Sequence, residues 1–231
     1  MADRREQIAG NLQVVHARID AAATAASRGQ DEVTLVVVTK TWPASDVRLL
    51  AELGVSHIGE NRDQEAAPKA AALADVAVQW HFIGQLQTNK VKSVAGYADV
   101  VESVDRERLI TVLDRAASDT QRTLNCLIQV GLDRLPGRGG APIDRVGELA
   151  EAIVGSQSLT LGGVMAVAPL AEDPFPAFER LARVSAELRR SHPGARTISA
   201  GMSGDLEAAV ACGATHVRVG SAVLGQRPPV G

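Results

Sequence analysis

Eight short apolar segments, each divided from the next by a stretch of helical pattern, run through this sequence at residues 33–39, 56–59, 78–83, 99–102, 123–130, 159–166, 195–199 and 215–219. Between them lie helical patterns at 45–53, 62–74, 87–95, 105–117, 142–154, 175–191 and 203–211. Strict alternation of this kind permits few folds, because parallel strands need a crossover between them and the crossover helices cover the sheet. The first segment, VTLVVVTK at Val33–Lys40, is a β-branched run without polar alternation, as expected of a strand covered on both faces. Pro43 and Ser45 then open a helical pattern whose stop is Gly54. Eight such units in 231 residues predict an α/β fold, a closed (β/α)8 TIM barrel, over an open doubly wound sheet. Residues 3–26, rich in Ala, Arg and Glu and without proline, predict an additional N-terminal helix. No linker or low-complexity tract interrupts the pattern. The expected organisation is therefore one domain over 1–231, with the barrel at about 33–227 and a tail at 228–231 that frays.

Composition narrows the function. Lys plus Arg at 24 against Asp plus Glu at 27 gives a net charge of −3, so no broad cationic field exists to attract nucleic acid or anionic lipid. Aromatic residues make up 3% of the chain and leave little to stack on bases. No apolar run reaches the roughly 18 residues of a spanning helix, and the opening MADRREQIAGNLQ lacks the apolar core of a signal peptide. Cys126 and Cys212 lie far apart in apolar stretches, in neither a CxxC nor a disulfide pattern. A cytoplasmic protein is expected.

The barrel reading directs attention to the C-terminal ends of the strands, where barrel enzymes place their chemistry, with phosphate commonly held after strands seven and eight. Strand one ends at Lys40, strand two at Gly59-Glu60-Asn61, strand three at His81-Phe82-Ile83-Gly84, and strand six at Met165. At the mouth of an apolar barrel, desolvation favours the neutral amine of Lys40, which can condense with an aldehyde; the alternative is a lysine that snorkels into solvent. The turns SAGMSGD and VGSAVLG follow strands seven and eight, and both open helical segments. They can offer backbone N–H groups and the hydroxyls of Ser203 and Ser221 to an anion. Arg218, between Val217 and Val219, needs an acceptor on its barrel strand: a carboxylate, a ring nitrogen or a phosphate. Asn61 and His81 are weaker candidates, a helix cap and a hydrogen-bonded wall residue by their bland readings. The loop LDRLPGRGGAP, Leu132–Pro142, is either a lid carrying Arg134 or Arg138 to an anion or a solvated loop. HExxH, GxGxxG after the first strand, GxxxxGK[ST] and GxSxG are all missing, and the five histidines show no metal-ligand spacing.

VVTKT around Lys40, GENRDQE from Gly59, WHFIGQLQTNK from Trp80, GGVMAV around Met165, SAGMSGDLEAA from Ser199 and VRVGSAVLG from Val217 occur in this order. Together they resemble the YggS/PROSC family of pyridoxal phosphate homeostasis proteins over residues 5–227. The resemblance implies a monomeric barrel similar to the N-terminal domain of alanine racemase, with pyridoxal 5′-phosphate held as a Schiff base on Lys40. It further implies Asn61 beside the cofactor, the phosphate on Ser203, Gly220 and Ser221 with Ser199 nearby, and Arg218 facing the pyridine nitrogen. Met165 and Met202 align with residues near the ring. Arg62-Asp63, Ala200 and Ser221 depart from common family residues, and Ser221 preserves the hydroxyl of a frequent threonine.

An arginine does not protonate the pyridine nitrogen, so the ring is a weaker electron sink than one paired with a carboxylate. Racemisation also needs a proton donor on each face of the substrate carbon, and the sole tyrosine, Tyr97, precedes strand four and belongs at the opposite end of the barrel. The leading expectation is a protein that stores, buffers and delivers pyridoxal phosphate to apoenzymes, balancing amino-acid and keto-acid pools. A weak amino-acid racemase is the alternative, and a Schiff-base aldolase or isomerase of a sugar phosphate is a third reading.

Overall fold

A computed structural model describes residues 3–133, 139–169 and 172–226. Eight parallel strands, β1 Thr34–Val38, β2 His57–Glu60, β3 Gln79–Phe82, β4 Val100–Val104, β5 Leu124–Gln129, β6 Leu159–Met165, β7 Thr197–Ser199 and β8 His216–Val219, close into one barrel. The closure is made by β8 on β1, in register from Thr34 opposite His216 to Val37 opposite Val219. The helices are α1 Arg4–Ala25, α2 Ala44–Glu52, α3 Asp63–Ala72, α4 Val91–Ala95, α5 Glu107–Asp119, α6 Val146–Val154, α7 Phe175–Ser191, α8 Leu206–Ala211 and α9 Ser221–Leu224. All eight expected strands and all eight expected helices are present, most with ends shifted by one to four residues in either direction. The stretches expected as helix over 87–95 and 142–154 each open with a 3-10 turn, at Thr88–Lys90 and Ile143–Arg145, and α8 begins only at Leu206. Gly54 adopts φ 89° just beyond α2, the left-handed stop that a glycine supplies without steric cost.

Two faces of each strand divide the core. Outward residues such as Leu35, Val37, Trp80, Val217 and Val219 pack under the helices, joined by Ile8, Leu12, Val15 and Ile19 of α1. A second apolar cluster fills the other half of the shell, from Phe82 and Val101 to Leu181 and Ile198. Inside the barrel, Val100, Leu127 and Met165 form a small apolar plug. Polar groups share the interior: the rings of His57, His81 and His216 lie with centroids 5.2 to 6.1 Å apart, and Glu102, Ser199 and Arg218 are buried nearby. At Gly163, φ is 149° and an added Cβ would collide with the Thr197 carbonyl, so β6 shifts register against β5 there and presses close to β7.

The additional helix α1 lies along α8, α9 and α2. Its Arg18 donates to the Ser203 carbonyl at 3.0 Å, Asn11 to the Val223 carbonyl at 2.8 Å and Arg4 to the Leu224 carbonyl at 3.1 Å. Among the described residues, no helix is long and apolar enough to cross a membrane. Arg134, Arg138 and the tail from Pro228 to Gly231 lie outside the described residues.

Candidate functional site

The strand that ends at Lys40 does not run straight on. Trp42 N–H donates to the Thr39 carbonyl at 3.0 Å, closing a turn in which Thr41 has φ 69°. A β-branched residue in this region is strained by roughly 1–3 kcal/mol, and such strain persists only where the surroundings impose it. They do so here. Thr41 N–H donates to Glu65 Oε2 at 2.7 Å, and Lys69 Nζ, from the same helix α3, donates to the Thr39 carbonyl at 2.8 Å. Lys69 Nζ also donates to Glu60 Oε1 at 2.6 Å, as does Thr39 Oγ1 at 2.7 Å. Glu60 is fully buried at the end of β2, and burial raises its pKa against the opposing pull of Lys69 and Thr39. Its second oxygen, Oε2, is buried without a hydrogen-bond partner.

Lys40 lines a cavity of about 280 Å³ at the C-terminal mouth. The turn after β7 contributes Met202, Ser203 and Gly204 to it, and the turn after β8 contributes Gly220, Ser221 and Gly225. Arg218, Trp42 and Ile83 complete its walls with Val38. Its lining thus holds one ammonium, one guanidinium, two hydroxyls and three glycines, with no carboxylate, a donor set that fits an anionic carbonyl compound. At Gly204 an added Cβ would meet nothing within 4 Å, so the first turn leaves open space over its backbone. Its Met202 N–H is taken by Asp205 Oδ1 at 2.6 Å, and its Ser203 carbonyl by Arg18. Because α8 and α9 span six and four residues, their dipoles are short, and the hydroxyls and backbone amides of the turns are the main donors.

Behind the mouth, Arg218 Nη1 donates to Ser199 Oγ at 2.7 Å and Nη2 to the Ala166 carbonyl at 2.8 Å. Ser199 Oγ donates in turn to Glu102 Oε2 at 2.6 Å, and Glu102 Oε1 faces His81 Nδ1 at 2.7 Å. His81 Nε2 lies 2.9 Å from His57 Nδ1. Burial would raise the Glu102 pKa, but the hydrogen bond and charge of His81, with Arg218 and Ser199, hold it down to about 2. Burial pulls the Arg218 pKa down against Glu102 and Asp205. Burial, then the neighbouring His81, also lowers His57 and pushes His216 down to about 4.

The structure therefore brings Lys40, Met202, Ser203, Arg218, Gly220 and Ser221 around one cavity. Ser199 stands one step behind it as the acceptor of Arg218, and Met165 is buried in the apolar plug. Asn61 lines a neighbouring cavity of about 450 Å³ with Arg62, Asp63, Phe82, Gln85 and Lys90, its Oδ1 buried and unpartnered. His81 is a hydrogen-bonded interior residue, and Tyr97 packs edge-on against Trp80, lining a groove with Val78 and Asp99, which precede β3 and β4. Glu60, Glu65 and Lys69, which hold the Lys40 turn, and Glu102, which backs Arg218, were not singled out from the sequence. A carboxylate inside an apolar strand, as in VVESV, is the signal that finds Glu102, since a buried charge requires a partner. Among the described residues no group of His, Cys, Asp or Glu is arranged to hold a metal ion.

Comparison with known proteins places this arrangement. Residues 10–228 match the family model for the alanine racemase N-terminal domain. The pyridoxal phosphate homeostasis protein of Corynebacterium glutamicum is 41% identical over 221 residues, covering 93% of this chain and 99% of the relative. That of Mycobacterium leprae is 38% identical over 241 residues, covering 96% and 94%. The structure of PipY from Synechococcus elongatus with bound pyridoxal phosphate superposes with a TM-score of 0.81 at 32% identity, covering 94% of this chain and all of that one. With the barrel, the lysine turn and the two glycine turns all present, the chain belongs to the YggS/PROSC family of pyridoxal phosphate homeostasis proteins, built on the alanine racemase N-terminal barrel.

Proposed function

We propose that this protein binds pyridoxal 5′-phosphate as a Schiff base on Lys40 and carries or buffers it for delivery to apoenzymes, thereby maintaining intracellular cofactor and amino- and keto-acid levels. The observation that carries the reading is the convergence of Lys40 with the hydroxyl turns at Ser203 and Ser221 on one carboxylate-free cavity. Its volume lies close to the roughly 300 Å³ lower bound of small-ligand sites. When bound, the cofactor supplies an aldehyde that joins an amine with loss of water. The chain's own residues would do the rest. Lys40 provides the amine from a turn pinned by Lys69 and Glu65. Ser203, Ser221 and the backbone at Gly220 hold the phosphate, and Arg218 meets the pyridine nitrogen without protonating it. Met202 and Trp42 cover the ring, whereas Ser199, Met165 and Asn61 act from behind or beside it. The relative of known structure with bound pyridoxal phosphate supports the same reading.

A carrier fits better than a racemase because the single tyrosine, Tyr97, lies beside Trp80 and Asp99 at the far end of the barrel, so no tyrosine stands opposite Lys40 to serve as a second donor. The reading takes the whole chain as one barrel domain acting as a cytoplasmic monomer. It is tested by mixing the protein with pyridoxal phosphate, reducing with borohydride and mapping the modified peptide. The label is expected on Lys40 and absent from Lys40→Ala; a label that survives in the variant, or falls elsewhere, overturns it. Incubation with a panel of L-amino acids, followed by chiral chromatography, is expected to show no sustained turnover.

A further inference from the structure

Beyond Ser199, the buried polar chain behind Arg218 has no part in the carrier reading so far, and its chemistry is specific. Glu102 is completely buried inside the barrel on β4, Ser199 is equally buried on β7, and Arg218 comes from β8. Three strands thus converge on one hydroxyl. A serine hydroxyl has a single proton, and an ionised carboxylate can only accept. With Ser199 Oγ 2.6 Å from Glu102 and 2.7 Å from Arg218, the proton must go to Glu102, and the oxygen's lone pairs must face the guanidinium. The charge on Glu102 therefore sets the polarity of the chain.

The guanidinium is also tied by its Nη2 to the Ala166 carbonyl, and Glu102 Oε2 lies 3.8 Å from Nη1. These two ties leave the guanidinium plane little freedom, and Arg218 still lines the mouth cavity. On the other side, His81 Nδ1 faces Glu102 and its Nε2 lies 2.9 Å from His57 Nδ1, so the same chain continues towards the start of β2. The groups facing it from the surrounding strands are His216 on β8 and, beyond Arg218, Asp205.

We propose that Glu102 is a positioning residue of the mouth site, fixing through Ser199 the orientation in which Arg218 meets a bound cofactor. It touches no ligand itself. This rests on the pyridoxal phosphate reading and adds a residue on a strand that contributes nothing to the cavity wall. A glutamine at 102 keeps the shape, carries no charge and can donate to Ser199, which turns the hydroxyl away from its present role.

The test uses the full chain loaded with pyridoxal phosphate. Release of the cofactor into excess phosphate buffer is followed by its visible absorbance, alongside the thermal melt and the pH titration of that absorbance band. Glu102→Gln and Ser199→Ala are each expected to speed release by about tenfold, the loss of one charge-assisted hydrogen bond. The double variant should be no faster than either single one, because both break the same link. In Glu102→Gln the titration midpoint should move to lower pH, since a negative charge has left the barrel and a bound proton is held less well; Ser199→Ala keeps that charge and should move it less. A merely structural role would change the melt and leave the titration in place. Wild-type release rates in variants that melt normally, or effects that multiply in the double variant, overturn the proposal. If Glu102→Gln fails to fold, Ser199→Ala decides alone by its release rate. If the wild-type protein takes up no cofactor, the carrier reading itself has failed and this inference falls with it.

Discussion

Replacing Lys69 by methionine is the sharpest probe of how the Lys40 turn is held. The ammonium of Lys69, 11% exposed, donates to the carboxylate of Glu60, 1% exposed, and to the Thr39 carbonyl directly before Lys40. Methionine keeps the apolar stem and removes the charge, leaving Glu60 with the Thr39 hydroxyl alone. Stripping one partner from a buried pair costs about 3–5 kcal/mol, because the other charge stays desolvated and uncompensated. That is about a fifth or more of the roughly 5–15 kcal/mol that holds a typical domain together. The sign of the pH dependence follows from Glu60. Its pKa is already raised in the folded state by burial, so the folded form binds its proton more readily than the unfolded chain and the group costs stability as pH rises. Without Lys69 this cost grows, so the loss should be largest near neutral pH and shrink as acid protonates Glu60. Urea unfolding followed through the fluorescence of Trp42 and Trp80, at about pH 7.5 and about pH 5, measures it. The Lys69→Met, Glu60→Gln double variant should recover much of the loss, since the buried charge is then gone. A loss below about 1 kcal/mol, or one equal at both pH values, would refute the reasoning. The same variant should retain pyridoxal phosphate less well, because the carbonyl that begins the Lys40 turn has lost its donor.

Arg18→Ala removes the donor to the Ser203 carbonyl and a largely exposed pair with Glu207, so it should cost under about 1 kcal/mol of folding stability yet release bound cofactor severalfold faster; an unchanged release rate would mean that the first turn is rigid without α1. His216, held down to about 4 mainly by burial, is neutral in the folded barrel, whereas the unfolded imidazole takes its proton near the ordinary 6.5. Its contribution is thus complete above that ordinary value and is lost as pH falls from about 6.5 towards 4, up to about 3 kcal/mol in all; His216→Leu should flatten that part of a stability profile measured by urea unfolding.

The barrel was readable because its signal is repetition: eight apolar runs at helix-length spacing leave the topology little choice. Lengths were less readable. Helix ends such as Thr88–Lys90 are set by 3-10 turns that the residue pattern does not distinguish from α-helix. The lysine and the two serine turns were visible as well, since each sits at a strand end beside glycines or a change of pattern. What supports them was not. Lys69 lies 30 residues from the carbonyl it holds, and Ser199 lies 97 residues from Glu102. His57, Glu102 and His216 each read as a stray polar residue in a strand, because inward and outward positions alternate and neither is marked when both are buried. Only closure of the barrel puts them side by side. Asn61 illustrates the converse: its motif is plain, but the sharp bend after β2, packed so tightly against Gly84 that no Cβ fits there, aims it into the adjoining cavity.

The clamp of α1 on the two last turns has a consequence for how the molecule is made. Arg4 and Asn11 find their acceptors at Leu224 and Val223, 220 and 212 residues further along the chain. Before those residues are in place α1 can hold only nearer partners, such as Asp46 through Arg4, and a polypeptide lacking Ser221 owns neither the second turn nor its fastening. If the proposed reading holds, sequestering a reactive vitamin therefore requires segments from both extremes of the barrel, and fragments without the second turn cannot compete for it.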